Sequence, residues 1–587
     1  MSLNHRTTNI VAIVILAIMF LGAVLSMKND SLTFDELAHI PAGYSYLTKQ
    51  DYRINPEHPP LIKDIPALPL LFLNLKFPDN SQNWLQTEAA PAWWVQFDLG
   101  REFIFRSGNN PGEIIFWARL MMILLLIFLG WLLFTFTRRI TNNNVVALGV
   151  LILFAFSPTF LASGRLVTTD VGAAFGALLA TIFWLRFLEK PVWKNVFFAG
   201  LAFGLVMLLK FSLILLIPFF AIITFLYILL FAKNIIQYLL KSIAAGLIGF
   251  IFVIWPVYQF HIWNYPAQQQ LRDTIADISG HPVSFAKDMT IWMAEKEMLR
   301  APAQYFRGVL MASQRTAWGN TTYFLGEISA EGWLYYFPVI YFLKIPLAFH
   351  ILGALAIVFL LICLWKKMQK RELLDLTRQY FWALVLFLWI LIYWAAALYG
   401  KLNIGIRHLL PVLPFTYILV VFSIYQGVKL LKPANIRFLT KTFVFLLFFW
   451  YASSSLFTFP YYISYYNELA GGTEQGYRIA VDSNYDWGQD FYRLLDFVKK
   501  EKIGKIYVDY FGGEDLEYWL GKKYIKLNAK ETRAKPKGWV AISANQLMGG
   551  LAKPAPGFDQ ETGYYSWLKD HTPVARAGYS IFIYYID

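Results

Sequence analysis

Cysteine is almost absent: Cys363 is the one thiol in 587 residues, and it lies inside an apolar run. No intrachain disulfide and no cysteine-based metal centre can be built from it. Charge is scarce as well. Only 15% of residues are charged, against 57% hydrophobic and 18% aromatic, and mean hydropathy is +0.46. Ordinary soluble chains carry roughly 25% charged residues. Disordered, fibrous, coiled-coil and single-globule readings are excluded, and a multi-spanning membrane protein remains. There is no internal repeat, no low-complexity tract, no Walker motif, no dinucleotide fingerprint and no Gly-x-Ser-x-Gly elbow. The net charge of +14 would point to nucleic acid in a soluble domain. Here Lys and Arg retained in cytoplasmic loops explain it, and no nucleic-acid partner is expected.

What is present is a series of apolar runs, each near the roughly 20 residues that cross a bilayer. They fall at 9–27, 113–136, 145–163, 171–188, 195–209, 212–231, 238–260, 338–365, 380–399, 409–431 and 440–459, which predicts about eleven transmembrane helices. The first, preceded by Arg6, reads as a signal-anchor, because its apolar core is long and its cleavage signal weak. With the N-terminus inside, the inside connections hold seventeen basic residues, including Arg138, Arg139, Lys366, Lys367 and Arg437. The short outside connections hold only Arg165, Lys210, Lys401 and Arg407. This bias predicts a multi-pass protein of the plasma or inner membrane with a cytoplasmic N-terminus.

Three long segments then lie outside: 28–112, 261–337 and 460–587. Residues 1–460 form the transmembrane module and 461–587 a separate extracytoplasmic domain. In that tail a helix is predicted over 487–500 and strands at 505–511, 538–543 and 579–586, a small α/β unit. The odd number of spans argues against the paired halves of many secondary transporters.

Segment 28–112 carries the densest polar groups. Phe34-Asp35-Glu36-Leu37-Ala38-His39 follows the first span, and if 36–48 is helical a carboxylate sits near its N-terminus. Two readings stand: a functional carboxylate favoured by the helix dipole, or an N-cap supplied by Thr33 or Asp35. Next, Glu57-His58-Pro59-Pro60-Leu61-Ile62-Lys63 puts a carboxylate, an imidazole and an ammonium on a stiff turn before an amphipathic segment, 61–75. A plain interfacial turn is the alternative. A His with several carboxylates offers divalent-metal donors, but no tight ligand spacing supports a metal. Outside, Arg165 and Asp170 flank the third connection, and Lys401, Arg407 and His408 precede the tenth span. Those basic groups oppose the inside bias and suit a phosphate, or else an anionic lipid headgroup. Lys344 lies near the outer end of the eighth span, as a functional group or a snorkelling one. Asp482-Ser483-Asn484-Tyr485-Asp486-Trp487-Gly488-Gln489-Asp490 begins like a calcium loop, yet Trp487 and Arg493 replace the Gly and Glu such a loop needs. A turn capping the following helix is the expectation.

At these residues the sequence resembles the protein O-mannosyltransferase branch of the GT-C glycosyltransferases, and is similar to the phospholipid carrier-dependent glycosyltransferases of glycosyltransferase family 39. The resemblance runs over about residues 30–490. It is carried by Asp35-Glu36, His58-Pro59-Pro60-Leu61 with Lys63, Arg165 with Asp170, and Tyr335-Tyr336-Phe337 with Lys344-Ile345-Pro346. Arg407-His408-Leu409-Leu410-Pro411, Asn467-Glu468-Leu469-Ala470-Gly471-Gly472 and the 482–490 motif complete it. The tail departs, with no repeat-type sugar-binding domain.

The resemblance implies a GT-C-like, α-helical polytopic protein with a small C-terminal α/β extracytoplasmic domain. It implies a sugar donor on a polyprenyl phosphate and a protein, glycan or lipid hydroxyl as acceptor, at the outer face among membrane lipids. Asp35 would be the general base of an inverting displacement. Glu36 and Glu57 would orient sugar or acceptor, and Lys401, Arg407 and His408, with Lys63, Arg165 or Lys344, would stabilise the departing phosphate. Asp170 belongs to the same binding set. No nucleotide and no obligatory metal are implied. A transporter or flippase for lipid-linked sugars, or a non-catalytic binding protein, stays as the alternative.

Overall fold

The computed structural model describes residues 4–93, 95–532 and 535–587. Among them nine helices are long and apolar enough to cross a membrane: His5–Met27, Pro111–Thr141, Asp170–Glu189, Phe211–Phe231, Ile235–His261, Leu347–Gln369, Phe381–Tyr399, Ile406–Leu430 and Ala434–Thr458. Two shorter apolar helices, Asn144–Ala155 and Trp193–Met207, complete the bundle. The chain is thus an α-helical polytopic membrane protein with a small C-terminal α/β part.

Every expected span falls on a helix, but two are broken. The run 145–163 stops at Ala155; a separate short helix, Pro158–Ser163, starts where Ser157 Oγ accepts from Phe160 N at 3.3 Å. The run 338–365 divides into Tyr336–Lys344 and Leu347–Gln369 across Ile345-Pro346. In both places proline lacks the N–H a helix interior requires and pushes the residue before it toward extended backbone. Hydropathy is blind to either break.

Helices Trp193–Met207 and Ile235–Gly249 meet backbone to backbone. A Cβ on Gly204 would lie 2.4 Å from the Gly249 carbonyl oxygen, and one on Gly249 2.6 Å from that of Gly200. Small residues hold membrane helices together this way because lipid offers apolar side chains no reason to leave it.

The three long segments gather at one end of the bundle and are themselves largely helical. The first contains Glu36–Lys49, Leu61–Ala67, Gln82–Ala89 and Val95–Arg101; the second contains Ala267–Ile278, Ser284–Ala294 and Arg300–Trp318. At the opposite end Arg138 donates to Asn9 at 2.6 Å and Arg139 pairs with Glu189 at 3.2 Å. The basic connections therefore share the face that the long segments leave free.

The second segment adds strands β1 (Thr322–Phe324) and β2 (Glu327–Ser329). The tail adds β3 (Ile506–Asp509), β4 (Tyr524–Lys526), β5 (Gly538–Ser543), β6 (Lys553–Pro554), β7 (Ala575–Ala577) and β8 (Ile581–Ile586). The larger sheet has the order β4-β3-β5-β8-β7, parallel across β4-β3-β5 and antiparallel across β5-β8-β7. The smaller joins β1 and β2 to β6, so segment 261–337 and the tail share backbone pairing. Helix Phe491–Lys500 lays Phe491, Leu494, Leu495 and Val498 on Ile506, Val508, Ala541 and Ile583. It starts four residues later than the sequence predicts. Asp490 makes no side-chain cap there, so the 482–490 segment is not a helix cap.

Sidedness is open to direct test. Cysteines introduced singly at exposed Asn80, Ser279 and Gln560, in a Cys363→Ser background, should all react with an impermeant maleimide on intact cells. Protection of all three, with labelling only after permeabilisation, would reverse the orientation.

Candidate active site

Asp35 ends the strap that follows the first span. It precedes helix Glu36–Lys49 but makes no side-chain cap bond. Capping runs the other way: Glu36 Oε2 accepts from Thr33 N at 3.0 Å and Thr33 Oγ1 at 2.8 Å. Asp35 is thereby left with its side chain 25% exposed, and its Oδ2 accepts from Arg407 Nη1 at 2.9 Å.

Arg407 is held from three more sides. Its Nη1 also reaches Asp170 Oδ2 at 3.2 Å, its Nε donates to Ser483 Oγ at 3.1 Å, and its guanidinium lies 4.2 Å from the Trp487 ring centre. Asp170 is buried and takes a second cation, Lys210 Nζ, at 2.6 Å. The cluster thus alternates charge, Asp35–Arg407–Asp170–Lys210, with Asp35 as its exposed end.

The His58 turn faces the same cluster. The His58 ring stands edge-on to His39, centroids 5.2 Å apart. Nδ1 of buried His39 donates to the Val167 carbonyl at 2.9 Å, and burial holds that imidazole below its ordinary range. Glu57 Oε2 lies 3.5 Å from Arg315 Nη1, and its Oε1 3.7 Å from His58 Nε2. Burial pushes Glu57 up to about 7 against the Arg315 charge, and the nearby Asp35 carboxylate adds to the rise. Burial also raises Asp482, to about 6, despite Arg407 beside it.

Several expected binding residues are occupied by the protein itself. Glu36 is fully buried and accepts five hydrogen bonds: from Arg119 Nε (2.8 Å) and Nη2 (2.6 Å), Val167 N (3.0 Å), and the two from Thr33. Lys63 turns inward, donating to Tyr46 OH, the Asn55 and His58 carbonyls and Asn55 Oδ1 at 2.7–3.1 Å, and burial depresses it well below the lysine range. Instead of projecting outward, it closes the turn it was expected to share. Arg165 is buried against Asp30, 2.7 Å away, and donates to the Pro460 carbonyl. Lys344 donates to the carbonyls of Ile463 and Asn484 at 2.8 and 2.7 Å. Lys401 is exposed and pairs with Glu331 at 3.3 Å, so it does not share the contacts of Arg407. Lys210, rather than Lys401, shares the Asp170 carboxylate with Arg407.

The structure thus brings together Asp35, Asp170, Arg407, Glu57 and His58; His408 follows Arg407 directly, with its ring 6.4 Å from that of Phe337. Sequence reasoning passed over Arg315, His39, Lys210 and Arg119. Arg119 did carry a signal, being an arginine inside an apolar helix; Arg315 sits on an ordinary amphipathic helix and carried none. Among the described residues no three His, Cys, Asp or Glu side chains are grouped to hold a metal ion.

No curated protein matches the chain. Among solved structures it is similar to ArnT from Cupriavidus metallidurans bound to undecaprenyl phosphate, at 12% identity over 97% of each chain with a TM-score of 0.46. The apo state of the same protein gives 12% identity over 97% of each chain and a TM-score of 0.29. Residues 109–258, about a quarter of the chain, match the model of the family described as dolichyl-phosphate-mannose-protein mannosyltransferase. That stretch holds Arg119, Arg165, Asp170 and Lys210, so it is over these residues, supporting the cluster that ends in Asp35, that this chain is similar to that family.

Proposed function

We propose that the protein is a membrane glycosyltransferase that moves a hexose or pentose from a polyprenyl-phosphate donor to an acceptor hydroxyl. The observation that carries the reading is a partly exposed carboxylate, Asp35, at the end of a buried chain of alternating charges. The match of residues 109–258 to the mannosyltransferase family supports it.

The chemistry asks for little more. A phosphate leaves without being protonated, so one base suffices, whereas a glycosidase needs two carboxyl groups because its leaving group must be protonated. Asp35 takes the proton of the acceptor O–H as that oxygen forms a bond to the anomeric carbon. The bond to the phosphate oxygen breaks on the opposite face, and the electron pair leaves with the phosphate. The anomeric configuration inverts. Arg407 holds the Asp35 carboxylate in place, Arg407, Arg315 and Lys210 are the cations of the cluster that meet the growing negative charge, and the His58 and His408 imidazoles serve as neutral N–H donors. With the long segments outside the cell, the reaction faces the outer surface and the acceptor is a protein, glycan or lipid there.

Arg315 separates this arrangement from a purely structural one. Its side chain is 35% exposed and makes one long ion pair, to Glu57. Arg315→Ala should weaken donor binding by about 1.5–3 kcal/mol, the worth of a hydrogen bond to a charged group. Titration with polyprenyl phosphate itself, read by intrinsic fluorescence, measures it. Unchanged affinity would take Arg315 out of the phosphate site.

A further inference from the structure

The strap between the first span and Asp35 has the tail on both sides. On one side Ser31 N donates to the Gln489 carbonyl at 3.0 Å, Ser31 Oγ donates to the Gly488 carbonyl at 2.6 Å, and Phe491 N donates back to Ser31 Oγ at 2.9 Å. Phe34 N donates to the Trp487 carbonyl at 3.2 Å. On the other side Leu32 N donates to Glu514 Oε1 at 2.7 Å, and Gly513 N to the Leu32 carbonyl at 3.0 Å. The Phe34 ring stacks on Phe511 with centroids 5.2 Å apart. At the head of the strap, both terminal nitrogens of Arg493 donate to Asp30 Oδ1 at 3.1 Å, while Arg493 Nη1 also binds Asp490 Oδ1 at 2.6 Å.

This is a closer fit than a tethered accessory domain needs. A Cβ on Gly513 would lie 2.6 Å from the Thr33 carbonyl oxygen and 3.0 Å from Leu32 Cγ. The same tail segment reaches the reacting groups, since Trp487 lies under the Arg407 guanidinium and Ser483 accepts from it.

We propose that the C-terminal unit is a catalytic clamp. Residues 487–491 and 513–514 hold Asp30–Phe34 between them and so set the position of the Asp35 carboxylate against Arg407, with Arg493 as a positioning residue. The proposal rests on the reading of Asp35 as the base. It gives the 482–490 motif a task that neither calcium binding nor helix capping supplies.

The test uses Gly513→Ala, Arg493→Ala and Arg493→Lys in the full-length protein, each alone and with Asp35→Asn. Displacing a catalytic group by about 1 Å can cost up to a hundredfold in rate. Gly513→Ala and Arg493→Ala should therefore lower kcat by about ten- to a hundredfold, with KM for the lipid-linked donor unchanged. Arg493→Lys should restore part of the loss. In the Asp35→Asn background, assayed with excess enzyme, neither substitution should cost anything further, because the group they position is already disabled. Wild-type kcat in both single variants, beside an impaired Asp35→Asn, would discard the clamp and leave the base assignment standing. Losses of equal factor in both backgrounds would also discard it, because the tail would then act independently of Asp35. Full activity of Asp35→Asn would remove the base reading, and the clamp with it.

Discussion

Asp35→Asn should lose about 10²–10⁴-fold in turnover, the usual contribution of general base catalysis, while expression and melting temperature stay near wild type. The substitution keeps the size of the side chain and an oxygen that can accept from Arg407 Nη1, now 2.9 Å away. It removes the carboxylate basicity that the proposed proton transfer requires. Stability should hold because Asp35 caps no helix and is partly exposed. A capping role would give a different pattern, since Asn is as good a cap as Asp and activity would survive. Transfer at the wild-type rate, measured with a defined donor and acceptor, would clear Asp35 and move suspicion to Glu57, the next carboxylate beside the His58 turn.

The adjacent residue should behave in the opposite way. Glu36→Gln leaves Arg119 buried in the bundle with its cationic charge opposed by a neutral amide. Breaking one partner of a buried ion pair costs about 3–5 kcal/mol, which should appear as a large drop in melting temperature in detergent. The loss should extend past the pair itself. Arg119 also holds the strap by donating to the carbonyls of Asp30 and Ser31 at 2.7 and 2.8 Å. Replacing both charges, as in Glu36→Leu with Arg119→Met, should recover part of the stability, because a buried pair contributes little over well-packed apolar groups. If Glu36 instead oriented the substrate, Glu36→Gln would melt like wild type and raise KM.

The contrast between Asp35 and Glu36 shows where the reading of the sequence reaches its limit. Two adjacent carboxylates after a span are visible as a motif, and their residue types alone allow either to be the base. What divides them is how many donors the fold aims at each. The five donors to Glu36 come from residues 33, 119 and 167; Thr33 is visible locally as a Thr-x-x-Glu pattern, but no local pattern records the convergence of Arg119 and Val167. Lys63 and Lys401 went astray for the same reason. The first meets four protein acceptors, one of them the His58 carbonyl of its own turn, and the second an exposed glutamate; residue types in a motif do not say which side chains fold back on the protein.

The bundle was far more legible. Each apolar run became a helix, because a chain in lipid must satisfy its backbone polar groups internally. The Pro158 and Pro346 breaks follow from local rules that hydropathy averages away. In the tail, β3, β5 and β8 alternate or run apolar over four to six residues, whereas β4 and β7 are three-residue edge strands with too little pattern to register. The pairing of Glu57 with Arg315 had no sequence signature at all, since it joins a proline turn to a helix more than 250 residues away.

The central claim is that Asp35 acts on a sugar carried by a polyprenyl phosphate, and the lipid bound to the protein tests it most directly. Mass spectrometry of lipid copurified with Asp35→Asn should find an intact polyprenyl-phosphate sugar, retained because the variant binds its donor and cannot turn it over. Wild type prepared in parallel should hold less of it and more of the sugar-free polyprenyl phosphate. Bulk phospholipid alone in both preparations, with no polyprenyl species, would contradict the account.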